Sequence, residues 1–420
     1  MIDEEISSFA YQFSRQNTRD FDEQVANLLA SFSVDYQRGF LPSREPLAQL
    51  SLTGKFASWE LLMTNLHSYL HAKVIRSKIL SELEIIEIDN EIDLLDEREY
   101  NRAILVLSML SHAFVWGEEP CSPSIPPCLA VPWVRLCQRT DRLPVLTHSS
   151  IALSNWRRFD PEKPIELGNI AILNGFLGGI DEANFYLITI ELEAKGGKSL
   201  QHMIKAQFYV QQELFRQFID ELKQIEMIQK EILESLTKMF DHVDPYIFYN
   251  RIRSFLSGWK DNPNLPNGLI YEGVSIEPKY LHGGSAAQSS LIAAFDIFFH
   301  IQHSSKFIQE MKFYMPTKHR RFLEVLDRNR FEIENLREKL ISMKDNELLN
   351  DLTLAYNQCI DQLILFRNKH IQIVTLYILS QNQSNRSEHD EESSTRGTGG
   401  TILMPFLKLI RDETKQQRLH

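Results

Sequence analysis

The stretch Phe366-Arg367-Asn368-Lys369-His370-Ile371-Gln372-Ile373-Val374-Thr375 sets one imidazole inside an apolar stripe. Leu352, Tyr356, Cys359, Leu363, Phe366, His370, Ile373 and Tyr377 recur at steps of three and four, the spacing of one helix face, so His370 is expected to point inward. A buried imidazole needs partners for its ring nitrogens, and a carbonyl, a carboxylate, a water or a metal would each serve. On the stripe alone, a core histidine satisfied by hydrogen bonds is favoured over a metal ligand. His300 and His303 stand three apart and would clasp a divalent cation from one helix face. Without a His-Glu-x-x-His pattern they read as exposed histidines. No glycine-flanked serine nucleophile and no dinucleotide fingerprint occurs.

Other motifs accompany that helix in a fixed order. They are Phe114-Val115-Trp116-Gly117, Ala130-Val131-Pro132, Asn155-Trp156, Arg251-Ile252-Arg253-Ser254-Phe255-Leu256-Ser257-Gly258-Trp259-Lys260, Gly283-Gly284-Ser285-Ala286-Ala287-Gln288-Ser289-Ser290, Gly397-Thr398-Gly399-Gly400-Thr401 and Phe406-Leu407-Lys408. Taken together they resemble the indoleamine 2,3-dioxygenase family, haem enzymes that open the indole ring of tryptophan. The part of the chain before Phe114 is only weakly matched.

The resemblance implies an all-α, mainly helical fold. Residues 1–176 would form a smaller N-terminal domain over the distal haem pocket, and 177–420 a large helical bundle that holds haem b and carries catalysis. It also implies that His370 is the only protein ligand to the haem iron, a role that asks for a second-shell acceptor on the other ring nitrogen. Arg367 and Asp296 match positions near the haem edge, with a solvated charge or local ion pair as the bland alternative. Arg253 matches the residue that holds the substrate carboxylate, for which the flat guanidinium fork is suited, while Arg251 should face elsewhere. Phe185 and Phe248 match aromatic side chains flanking the indole. For these two, as for Tyr249 and Ile151 beside them, ordinary core is the alternative. Gly284, Ser285 and Ala286 would pass close above the haem, glycine allowing backbone approach and the small side chains leaving room, unless Ser285 merely caps a helix. Thr398 belongs to a glycine-threonine stretch suited to cradling the amino-acid end of a substrate.

Two positions depart from the best-known members: Thr189 stands where they carry a distal serine, and His148 where they carry a pocket tyrosine. Thr189 and Ser285 take the catalytic positions, and His148, Ile151 and Ala286 the substrate-binding ones. The implied reaction inserts both atoms of O2 across the indole C2–C3 bond of L-tryptophan, or a related indole, to give N-formyl-L-kynurenine, the entry to the kynurenine pathway. It needs an unidentified reductant, and no acid–base pair is expected in the distal pocket. The alternatives are the same fold acting on another indole derivative, or a haem or gas sensor with weak tryptophan turnover. A haem-free helical scaffold would leave the glycine and arginine motifs unexplained.

Composition and patterning agree with such a protein. A chain of 420 residues with 43% hydrophobic and 24% charged residues can bury a large core. Its formal charge of −11 argues against a nucleic-acid partner. Met1-Ile2-Asp3-Glu4-Glu5 is unlike a secretory leader, and the apolar run Ala103 to Trp116 is too short to span a bilayer, so a cytoplasmic protein without membrane contact is expected, and the family resemblance implies a monomer. Cys121, Cys128, Cys137 and Cys359 form no Cys-x-x-Cys pair and are read as idle thiols.

Helical patterning covers 20–34, 58–84 and 96–116, then fails from Gly117 to Pro144, where prolines predict an irregular segment. Phe185 to Glu193 alternates like a strand but also fits a buried helix. One long helix is predicted from Ser199 to Val243, then an irregular connector from Trp259 to Gly284. Next come a helix capped by Ser285, a pair within 317–344, and the His370 helix. Residues 381–396 contain no large apolar side chain and are predicted to form a mobile loop acting as a lid, with a plain flexible linker as the alternative.

Overall fold

The structure, a computed structural model, describes residues 18–51, 53–86, 96–384, 397–398 and 402–419. It is mainly helical, as expected. Helix α1 (Thr18–Ser31) buries Val25, Leu28 and Leu29 and is followed at Ser33 by a left-handed turn with φ 54°. The continuous helix predicted over 58–84 divides into α2 (Ala57–Thr64), α3 (Leu66–His71) and α4 (Ile75–Glu82). Lys73, at φ 54°, breaks the second junction in a conformation that a helix interior does not accept. Helix α5 (Glu97–Trp116) starts in a reciprocal capping box between Asp96 and Glu99 and is buried from Arg102 to Val115.

The irregular segment predicted for 117–144 is corrected by α6 (Pro127–Arg139). Pro127 sits in the first turn, where its missing N–H has no intrahelical acceptor to lose. Pro132 removes one internal donor but leaves the helix intact, because Leu129, Ala130, Trp133, Leu136 and Cys137 are buried and the helix packs on α5. The strands among the described residues are β1 (Ser124–Ile125), β2 (Trp156–Arg158), β3 (Ile170–Ile172) and β4 (Ile270–Tyr271). They pair as parallel β1–β4 and antiparallel β2–β3.

Helix α7 (Ile180–Gly197) settles the ambiguous stretch 185–193 in favour of helix. The single helix predicted over 199–243 is α8 (Ser199–Gln211), α9 (Phe215–Thr237) and α10 (Met239–His242), parted where Glu213 adopts φ 59°. A π-helical turn, Phe248–Ile252, leads into α11 (Arg253–Leu256). Ser285 caps only a 3-10 turn, Ala286–Gln288. The cap of the next helix, α12 (Ser290–Phe298), is Ser289, whose Oγ accepts from the Ile292 N–H at 3.3 Å. Helix α12 ends at Phe298 and His300 turns the chain at φ 56°, so His300 and His303 do not share a helix.

Helix α13 (Lys306–Met311) precedes the predicted pair, α14 (Thr317–Arg328) and α15 (Ile333–Met343). Helix α16 (Asn346–Val374) carries His370 and passes through a π-helical turn, Thr375–Leu379, into α17 (Ser380–Ser384). Residues 381–384, predicted to be loop, are therefore helical, and 385–396 lie outside the described residues. Helix α18 (Leu403–Lys415) packs on α16, which also lies along α9; α9 in turn packs on α7 and α8. No helix among the described residues is long and apolar enough to cross a membrane.

Candidate active site

His370 projects from α16 into a cavity of about 320 Å³ whose walls are mostly apolar. Burial, reinforced by the nearby Arg367 charge, pushes its pKa down to about 4, so the imidazole is neutral at pH 7. Its side chain makes no hydrogen bond among the described residues, and its residual exposure is to the cavity it lines. It is therefore not a core histidine satisfied by a carbonyl or carboxylate. Nor do the described residues supply the expected acceptor for a second ring nitrogen.

One turn earlier, Arg367 is buried and pairs with Asp296 on α12, while also donating to the Ile410 carbonyl at 3.3 Å. The network continues, since Asp296 Oδ2 meets His303 Nε2 at 3.0 Å and His303 Nδ1 meets Glu413 Oε2 at 2.7 Å. Glu413 Oε1 accepts from the Ser304 backbone N–H at 3.0 Å and from its hydroxyl at 2.6 Å. Burial alone would lower the pKa of His303, but its hydrogen bond to Asp296 and the charge there outweigh burial and raise it. The reading of His303 as exposed is thus overturned: its side chain is 4% exposed because two carboxylates hold both ring nitrogens. His300 is also partly enclosed, its ring 5.4 Å from that of Phe331. Nothing in the spacing of these residues announced the network, because Glu413 arrives from a separate helix.

The opposite wall is built on α7, where Phe185, Thr189 and Glu193 are four residues apart and share a face. Phe185 packs against Phe248 with ring centroids 4.8 Å apart, and Phe248 meets Tyr377 at 5.9 Å. The Arg253 guanidinium lies 5.4 Å from the centre of the Tyr249 ring, and burial lowers its pKa. Arg251 is exposed, as expected. Thr189 Oγ1 donates to the Phe185 carbonyl at 3.1 Å, which commits its proton within the helix. Three π-helical turns, at 149–153, 248–252 and 375–379, contribute Ile151, Phe248 and Tyr377 to the lining, a backbone feature invisible in side-chain periodicity.

Gly258 and Gly283 bring two backbones into contact. A Cβ on Gly258 would lie 2.2 Å from Gly283 N, and one on Gly283 would lie 2.1 Å from the Leu256 carbonyl oxygen. Beside them, Gly284 N–H donates to the Leu256 carbonyl at 3.0 Å and Thr398 Oγ1 donates to the Gly284 carbonyl at 2.7 Å. Gly399, Gly400 and Thr401 lie outside the described residues. Ser285 Oγ accepts from Ala287 N–H at 3.3 Å and keeps its own proton to offer.

No acid–base pair is expected in this pocket from the sequence, and the structure corrects that expectation. His148 Nε2 lies 2.8 Å from Glu193 Oε1, which also accepts from Ser289 Oγ at 2.6 Å, and both His148 and Glu193 line the cavity. The spacing from Thr189 to Glu193 was the available clue. His148, Ile151, Phe185, Thr189, Phe248, Arg253, Gly284, Ser285, Ala286, Asp296, Arg367, His370 and Thr398 all line this one cavity.

Among the described residues no group of three or more His, Cys, Asp or Glu side chains could hold a bare metal ion. A single neutral imidazole on an apolar wall suits instead a metal that brings its other ligands with it in an organic macrocycle. The donor set and the cavity therefore fit haem, whose iron His370 would hold, with Arg367 as a neighbouring cation. This is an apolar cavity in a helical protein, of a kind that suits a flat macrocyclic cofactor.

Comparison with known sequences specifies the class further. The indoleamine 2,3-dioxygenase family profile matches residues 28–417. Indoleamine 2,3-dioxygenase 2 of Mus musculus is 37% identical over 334 residues, covering 77% of this chain and 80% of the relative. Indoleamine 2,3-dioxygenase 1 of Rattus norvegicus is 32% identical over 411 residues, covering 94% and 97%, respectively. Indoleamine 2,3-dioxygenase of Saccharomyces cerevisiae is 33% identical over 430 residues, covering 92% and 93%. The chain belongs to the indoleamine 2,3-dioxygenase family and is an oxidoreductase of the dioxygenase class.

Proposed function

We propose that the protein uses haem b to convert L-tryptophan and O2 to N-formyl-L-kynurenine, as a cytoplasmic monomer supplied with electrons by an unidentified reductant. The observation that carries this reading is that His370 and Arg253 line the same apolar cavity. Haem bound at His370 supplies the activation of O2.

The chain's own residues bind, orient and exclude water. Arg253 presents a fork of donors to the substrate carboxylate in a setting where burial strengthens the pairing. Phe185 and Phe248 bracket a flat aromatic group without adding a competing donor. Ser285 Oγ–H is the hydroxyl proton available at the reacting face, because the Thr189 proton is given to the Phe185 carbonyl. The apolar lining keeps water from the reacting atoms. In this reading residues 1–176 cover the distal side and 177–420 hold the haem.

The test is anaerobic reduction of the haem-loaded protein, addition of L-tryptophan, then air, with N-formylkynurenine followed by its absorbance. Wild-type protein should form product, and His370→Ala should lose both the haem absorption band and turnover. Turnover by a His370→Ala protein that still holds haem would overturn the assignment.

A further inference from the structure

We infer that α18 is a hinged outer wall through which haem enters and leaves the cavity, its first two turns opening while its carboxyl end stays fastened. The inference rests on the haem-dioxygenase reading and adds the route by which the cofactor is loaded. Leu403, Phe406, Leu407 and Ile410 turn the inner face of α18 to the cavity, while Pro405, Lys408 and Leu409 on its other side are exposed. A single helix therefore parts cavity from solvent here. Other helical walls are backed by a second layer, since α7 and α16 lie along α9 and α12 packs on α14. The neighbouring α13, which contributes Phe307 and Ile308, is pinned by Glu310, whose Oε2 meets Lys260 Nζ at 2.5 Å and His282 Nε2 at 3.1 Å. A flat macrocycle cannot cross two packed layers without opening a core, so the single-layered wall moves at least cost.

Among the described residues, the polar fastenings of α18 gather at its carboxyl end. Glu413 is held by His303 and Ser304, and the Ile410 carbonyl by Arg367. Arg418 Nη1 donates to Asp361 Oδ1 at 2.8 Å, and Asn357 exchanges two hydrogen bonds with the Leu419 backbone, at 2.8 and 3.0 Å. Over 403–409 the described side-chain hydrogen bond to another element is the 3.9 Å contact from Thr375 Oγ1 to Met404 Sδ, a weak acceptor. Apolar packing supplies the rest, as where Phe406 meets Phe307 edge to face at 5.3 Å. Ahead of the helix, Thr398 Oγ1 donates to the Gly284 carbonyl at 2.7 Å, and the Thr398 carbonyl accepts from Gly258 N–H at 3.4 Å. Apolar contacts part and reclose leaving few polar groups unsatisfied, whereas the carboxyl end cannot lift without stranding charges. The hinge therefore lies at the Glu413 end and the opening at the Leu403 end.

The test is haem transfer from the loaded full chain to excess apomyoglobin, followed by the haem absorption band, with no indole present. Thr375→Cys and Met404→Cys are introduced together in a Cys121→Ser chain, and neither Thr375 nor Met404 lines the cavity. Oxidised, the pair clamps the amino end of α18 to the turn that follows α16. Transfer should then slow by at least about tenfold relative to the same protein reduced with a phosphine, because opening is suppressed. If no bridge forms, a short bis-methanethiosulfonate linker makes the same comparison. Asp361→Ala, which frees Arg418 at the fastened end, should leave transfer within about threefold of wild type. Equal transfer from the clamped and reduced forms would overturn the inference. So would an Asp361→Ala chain that releases haem on the order of tenfold faster, since the opening would then lie at the other end. A chain that takes up no haem sinks the dioxygenase reading itself; haem bound but indifferent to the clamp sinks this inference alone.

Discussion

Replacing Arg253 with leucine should weaken L-tryptophan binding by roughly 30- to 150-fold, the equivalent of about 2–3 kcal/mol. Opposite charges about 4 Å apart in a medium of effective dielectric near 20 attract by about 4 kcal/mol. Part of that is lost to desolvation, but the guanidinium is already withdrawn from water, as its lowered pKa records, so the cost falls mainly on the incoming carboxylate. Losing the Arg253 contact with the Tyr249 ring would perturb every ligand alike. The assay therefore compares anaerobic titrations of L-tryptophan, indole-3-propionate and tryptamine against wild type and Arg253→Leu. The two carboxylates should lose affinity together while tryptamine changes by less than about threefold. Arg253→Lys should recover only part of the loss, since a point charge replaces a fork. Equal loss for tryptamine, or unchanged tryptophan binding, would refute the role assigned to this guanidinium.

Acid should destabilise the haem-free protein between pH 6.5 and 4. Burial holds His112 and His370 near pKa 4 and His319 near 3, against an ordinary value of 6.5. The unfolded chain therefore binds protons that the folded one refuses, and stability is complete above pH 6.5 and falls as the pH drops, by up to about 3 kcal/mol per histidine. His303, with a raised pKa, acts in the opposite sense. A urea midpoint that stays constant from pH 7.5 to 5 would contradict this account. Gly258→Ala places a Cβ 2.2 Å from Gly283 N, where backbone cannot yield cheaply. It should cost about 1–3 kcal/mol and reduce haem retention, readable by thermal unfolding and by the haem absorption band. An alanine variant within about 0.5 kcal/mol of wild type would show that the crossing relaxes freely.

The helical class and the His370 stripe were legible because burial on one face leaves a period of three and four in the sequence. The breaks in the helices were less so. Glu213 and Lys73 adopt left-handed conformations without being glycine, and Pro132 persists inside a helix because tertiary burial outweighs its local penalty. Residues singled out by a motif converged on one cavity. His303, Glu193 and Glu413 were missed because each acquires its surroundings from a helix distant in sequence, and no local pattern encodes such a meeting.

The chain of contacts from Arg367 through Asp296 and His303 to Glu413 makes α18 an electrical neighbour of the imidazole on α16. Removing the Glu413 charge would leave His303 with Asp296 as its remaining carboxylate partner, the acid that Arg367 also uses. That guanidinium is the same one that helps depress the basicity of His370. Alterations near the carboxyl-terminal helix are therefore felt as a change in donor strength at a ring far from the altered residue, with the hydrophobic packing left as it was.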